Sequence, residues 1–459
     1  MNLTPTLVNL PYEALENIFS EIDRPTLVSA CLVSRGLYEI ASRFLYRSLI
    51  VTMDKLDRRD PLYALRNRPF FAPLAHTVVF KIRIDYRGDV QLIVSICAYL
   101  STLPSIRRME WLHRGIWRDV CVIAIGYFLD MVKEMAPLVV KLRLPSLYEH
   151  KLQSKLMDLP SLRHLTLDDC TEELGRIAWY RSMIGNLTSL TMWNHYTRMP
   201  QSLLYNEYLQ GAGSLRVLEL QGLWSIDQLY PALFELRSLE HVRMTLCSMS
   251  IRGWQFIHHR PEAPNFSKLK CLEITLRPFT SDNLPKSVRL SLFYFIQSLL
   301  AEVKYLETIR VSTLKLENQF NFGEALASFL VKKFRHSLRV LCLDSMRLPN
   351  ETISRICQQC PNLEELGLVY PYPYPELDLA TLCAAFKLRP MLKTLLLTTT
   401  TASDSVIRVM LSQTSTHLIR IYLRTSGPSF SIWEVCSCWL FLGRARLWMC
   451  GAYGRVQEL

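Results

Sequence analysis

Residues 162–167 read LRHLTL, 215–220 LRVLEL, 269–274 LKCLEI, 338–343 LRVLCL and 363–368 LEELGL, each an apolar-x-x-apolar-x-apolar hexamer. The same pattern returns as LTSLTM at 187–192, LEHVRM at 239–244, LETIRV at 306–311, LKTLLL at 392–397 and LIRIYL at 418–423. Weaker copies precede them at Ala75/Val78/Phe80, Ile106/Met109/Trp111 and Val139/Leu142/Leu144. From Val78 to Ile421 the middle residues step by about 29 on average, from 23 (Leu142 to Leu165) to 37 (Leu272 to Ile309). The last two apolar positions of each copy lie two apart, so both point to one face of a short strand. The rest of each unit has to return along the outside. Helical spacing of Phe295, Ile296, Leu299, Leu300 and Val303, and of Ile353, Ile356, Cys357 and Cys360, fits that return. The expected fold is α/β, with strand and helix alternating in an irregular solenoid, a horseshoe.

Composition agrees with a folded chain: 459 residues, 49% hydrophobic, 20% charged and only 16 glycines. The longest apolar run, VCVIAIGYFL from Val120 to Leu129, is too short to cross a bilayer and reads as a core helix. The N-terminus shows neither a basic leader nor an apolar signal core, which points to a cytoplasmic or nuclear protein. Thirteen cysteines scattered through apolar segments then read as buried thiols rather than a disulfide framework. The net charge of +12, densest over 61–160, can favour anionic partners, but no run of five Lys/Arg occurs and basic residues are not interleaved with aromatics, so nucleic acid stays a weak option. No phosphate-binding Gly loop, His-Glu-x-x-His or Gly-x-Ser-x-Gly is present. The acidic cluster Asp168, Asp169, Glu172 and Glu173 reads as a solvated strand exit. The chain is expected to be no enzyme and to need no cofactor or metal.

Residues 10–50 depart from the repeat. Leu15, Ile18, Phe19 and Ile22 fall at i, i+3, i+4 and i+7 of a helix starting after Pro11. A second helix is expected from Thr26 to Val33 and a third from Leu37 to Tyr46. Three short helices cannot bury all this apolar surface among themselves, which implies a partner.

This segment resembles an F-box. The resemblance rests on Leu10-Pro11-x-Glu13, Leu15 with Ile18-Phe19, Leu27-x-x-Ala30-Cys31-x-Val33-Ser34-Arg35 and Leu45-Tyr46-Arg47. Where many F-boxes carry Trp after the Ser-Arg pair, this sequence has Leu37, a position at which fungal F-box-like members also vary. The stretch Cys357-Gln-Gln-Cys360-Pro361-Asn362-Leu363 resembles the cysteine-containing leucine-rich repeats of F-box proteins, and its cysteines read as core rather than zinc ligands. The resemblance implies a three-helix module before a leucine-rich-repeat domain. It further implies a substrate-recognition subunit of a Skp-cullin-F-box ubiquitin ligase, with a Skp-type adaptor and cullin as partners. Leu10, Pro11, Leu15, Ile18, Phe19, Leu27, Cys31, Val33 and Leu37 are the expected adaptor-binding residues.

Strand residues between the inward leucines line the concave face, where a target protein would sit. Trp193, Arg243, Arg310, Tyr422 and Arg424 are the expected contacts, since aromatic and Arg side chains dominate interface hot spots. The expected organisation is an F-box-like module at 1–52, a linker at 53–72, repeats at 73–429 and an atypical tail at 430–459. That tail reads equally as an unusual cap or as a mistranslated frame. The competing functional reading is a repeat scaffold whose F-box-like module serves assembly outside ubiquitination.

Overall fold

The computed structural model describes residues 10–52, 65, 67, 69–82, 87–113, 119–135, 137–145, 159–168, 184–194, 209, 211–224, 230, 233–247, 264–277, 286–313, 323–343, 346, 348–370, 384–386, 391–399, 420–424, 430–434, 446–450 and 456–458. Two compact units divide the chain, Met1–Leu190 and Thr191–Leu459.

The first unit opens with helices α1 (Tyr12–Glu21), α2 (Arg24–Val33) and α3 (Arg35–Arg47). The Asp23 carboxylate accepts from the Thr26 N–H at 3.1 Å and starts α2, while the Ser34 hydroxyl accepts from the Leu37 N–H at 3.2 Å and starts α3. Such caps satisfy N–H groups left over at helix starts. Ser34 is thus the single residue that ends α2 and starts α3. Leu15, Phe19, Leu27, Leu37, Ile40 and Ala41 meet in the centre, with Leu10, Ile22, Ala30, Cys31, Phe44 and Leu45 packed around them.

Helix α3 runs straight into strand β1 (Ser48–Thr52), which pairs in parallel with β2 (Thr77–Ile82), and the ladder continues through β3 (Arg108–His113), β4 (Lys141–Pro145) and β5 (His164–Asp168). Helices α4 (Arg87–Leu100) and α5 (Asp119–Glu134) form the returns. The expected core helix lies within α5, where Phe128 sits edge-on to both Phe80 of β2 and Trp111 of β3 at 5.2 Å.

Strand β6 (Ser189–Asn194) falls at the division between the units. In the second unit β7 (Val217–Trp224), β8 (His241–Cys247), β9 (Cys271–Arg277), β10 (Thr308–Thr313), β11 (Val340–Leu343), β12 (Glu365–Tyr370), β13 (Thr394–Thr399) and β14 (Arg420–Arg424) pair successively in parallel. Helices α6 (Lys286–Leu299), α7 (Gly323–Phe334) and α8 (Asn350–Gln359) supply returns between β9 and β12. Antiparallel strands β15 (Phe430–Glu434), β16 (Arg446–Cys450) and β17 (Val456–Glu458) follow β14.

Register explains the hexamer. Middle residues stand side by side, Val78 beside Met109, Leu142 and Leu165 in turn, and Leu218 beside Val242, Leu272, Ile309, Leu341, Leu366, Leu395 and Ile421. Every apolar position of the copies from Ala75 to Leu366 that is described is buried. Burying such a side chain contributes about 1.5–3 kcal/mol, so a one-residue slip, which would send the set to the other face, is heavily disfavoured. The residue after the first apolar position adds a second lock. In the second unit its carbonyl accepts two N–H bonds from the next rung, as at Glu240, Lys270, Glu307, Arg339 and Glu364.

Candidate adaptor and target surfaces

The three-helix module presents two kinds of apolar residue. Of those expected to meet an adaptor, Leu15, Phe19, Leu27 and Leu37 are buried inside the module and Leu10, Ile18 and Cys31 are half-buried. Burial pushes the Cys31 thiol pKa up, as expected of a packing thiol rather than a nucleophile. Pro11 and Val33 are exposed.

Sequence reasoning missed Val28 and Leu32. Both lie on α2 four residues apart, hence on one face, and Leu32 is 83% exposed with Val33 at 70% and Val28 at 45%. The signal was present: α2 reads RPTLVSACLV, holds no charge after Arg24, and has only Thr26 and Ser29 as further polar side chains, so part of its apolar surface also faces outward. Tyr12, also exposed, lies under the Arg43 guanidinium, 5.6 Å from its ring centre.

On the face of the second ladder turned away from the buried leucines, Glu219, Arg243, Glu273 and Arg310 stand in adjacent register, followed by Cys342, Gly367 and Leu396. Arg243 reaches Glu273 at 3.0 Å and Arg310 reaches the same carboxylate at 3.5 Å. The Arg310 fork also clasps Glu365 across β11, at 2.8 and 3.0 Å. The Cys342 thiol sits between, receiving the Arg310 N–H at 3.2 Å and donating to Glu365 at 3.3 Å. Desolvation opposes the Arg310 charge, but the Glu365 hydrogen bonds and the neighbouring negative groups outweigh it and raise its pKa. The neighbouring Cys271 thiol is pushed up to about 11, by burial first and then by Glu273.

The expected target contacts are therefore only partly brought together. Arg243 and Arg310 share Glu273, and Trp193 lies half-buried on β6. Tyr422 and Arg424 take ladder positions beside Leu396 and Thr398, but their side chains lie outside the described residues. In the first unit, Asp168 is held by the Arg143 guanidinium at 2.8 and 3.1 Å. The remaining members of that acidic cluster are outside the described residues.

Among the described residues no group of His, Cys, Asp or Glu could hold a metal ion, and no helix is long and apolar enough to cross a membrane. Cys357 and Cys360 are buried.

Residues 7–52 match the F-box-like family model, so the chain carries an F-box-like domain there. The matched span ends with β1. No curated protein matches the chain by sequence. Among solved structures it is similar to the yeast Rad7–Elc1 complex, at 15% identity and a TM-score of 0.36, covering 86% of this chain and 93% of that one. A Bacteroides fragilis protein is similar at 10% identity and a TM-score of 0.29, covering 60% of this chain and 68% of the other.

Proposed function

We propose that the F-box-like domain docks a Skp-type adaptor and thereby places the chain, as a target-recognition subunit without chemistry of its own, in a Skp-cullin-F-box ubiquitin ligase. In this reading residues 1–52 are the docking module and the repeats over 73–429 hold a target protein. The observation that carries it is the uncovered apolar face of α2, inside the span matched by the F-box-like model. The module's own core uses Leu15, Phe19, Leu27 and Leu37, which leaves Val28, Leu32 and Val33 for a partner. Burying an exposed Leu or Val contributes about 1.5–3 kcal/mol before association costs are subtracted.

Target capture falls to the sheet face that carries Arg243 and Arg310. There Arg243, half-exposed and tied to one carboxylate, is the side chain better able to change partner, and Trp193, Tyr422 and Arg424 extend the proposed surface. Co-purification tests the assignment. A tagged full-length chain should bring down adaptor and cullin together; adaptor alone, or neither, would favour a scaffold outside ubiquitination.

A further inference from the structure

Beneath the F-box-like helices, within the first unit, lies an open cleft of about 620 Å³. One wall comes from the helices, with Ile22 and Phe44; the other comes from the outward face of the first strands, with Ile50, Val79 and Leu112. That size is ordinary for a ligand site. The position is set by the chain: Arg24 of α2 donates to the Ser48 carbonyl at 2.9 Å, which ties the helices to β1, so they overhang the ladder's first rungs.

Its charge is one-sided. Arg47, Lys81 and Arg108 line it against a single carboxylate, Glu110, which Arg108 already pairs. Among the described residues Arg47 and Lys81 have no ion-pair partner. A lining in which apolar side chains alternate with Ser20, Ser48, Thr77 and surplus positive charge suits a ligand having an apolar side chain beside carboxylates.

We propose that this cleft is a peptide-binding site that takes an acidic segment of the target, seating one leucine or phenylalanine between α3 and β2 and its flanking Asp or Glu on Lys81 and Arg47. This inference rests on the reading of the chain as a target-recognition subunit and names the class of target. It adds a contact for the target within the first unit, beside the docking module.

The test uses the full-length chain and two synthetic peptide pools, each with a fixed central leucine or phenylalanine, one flanked by Asp and Glu and the other by Lys. Fluorescence anisotropy should give the acidic pool at least tenfold tighter binding. Lys81→Glu should abolish or reverse that preference, and the milder Lys81→Ala should weaken acidic binding severalfold with an unchanged circular dichroism spectrum. Equal binding of both pools, or a preference untouched in Lys81→Glu, would overturn the proposal. Adaptor pull-down on the same variants keeps the two readings apart. Retained adaptor binding without acidic selectivity sinks only the cleft, whereas acidic selectivity in a chain that never binds adaptor supports the cleft and removes the ligase assignment.

Discussion

Gly367→Ala is a sharp probe of the ladder's register. Gly367 stands beside Cys342 on the neighbouring strand, and a Cβ built there would meet Cys342 Sγ at 2.8 Å, its Cβ at 2.9 Å and its Cα at 3.0 Å. The last of these is backbone and cannot swing away. Overpacking of this kind costs about 1–3 kcal/mol, while replacing Gly in a strand returns about 0.5–1 kcal/mol of chain entropy, so the net loss spans about 0–2.5 kcal/mol and should fall toward the upper end here, where a backbone atom is among the close contacts. Moving the thiol would also loosen its contacts with Arg310 and Glu365. Urea unfolding followed by circular dichroism should show a lower midpoint at an unchanged slope. Adding Cys342→Gly removes two of the three close atoms, so the pair should be more stable than the sum of the single losses. A Gly367→Ala variant as stable as wild type would refute the side-by-side placement of β11 and β12.

Two further outcomes follow from the described contacts. Phe19→Ala, at a fully buried site whose ring lies 6.4 Å from that of Phe44, should cost the module about 3–5 kcal/mol, seen as fast amide exchange across α1 to α3 while β7 to β13 stay protected. Glu240 accepts a hydrogen bond from Lys270, which with the charges of Lys270 and Arg216 holds its carboxyl below the ordinary value of 4.5. Its contribution is therefore present above that value and lost as pH falls through the lower folded pKa. Between pH 7 and pH 3 the wild type should lose more of its unfolding midpoint than Glu240→Gln does.

The ladder was legible because its information is local: two inward residues, two apart, repeated at a nearly constant period. The first strand escaped that reading although Tyr46, Leu49 and Val51 fit the hexamer, because Tyr46 still belongs to α3 and the three copies after it are themselves weak. Exposure within the three-helix module was only partly legible, since Leu15, Phe19, Leu27 and Leu37 are buried inside it while Leu32 and Val33 are exposed. Hydrophobic spacing marks which residues of a small helix are apolar, not which of them find cover within the module, so Leu15 and Phe19 were grouped with Val33 while Leu32 went unnoticed. Charges were least legible of all. Arg310 clasps Glu365 across an intervening strand, and a pair 55 residues apart has no sequence signature until register is known.

The most direct test of the central claim is the affinity of the full-length chain for a purified Skp-type adaptor, measured by calorimetry for wild type and for Leu32→Asp combined with Val33→Asp. Two exposed side chains at about 1.5–3 kcal/mol each place the expected weakening at about a hundredfold or more, with helix content intact. An undiminished affinity in a folded double variant, or no adaptor binding by the wild type, would contradict the account.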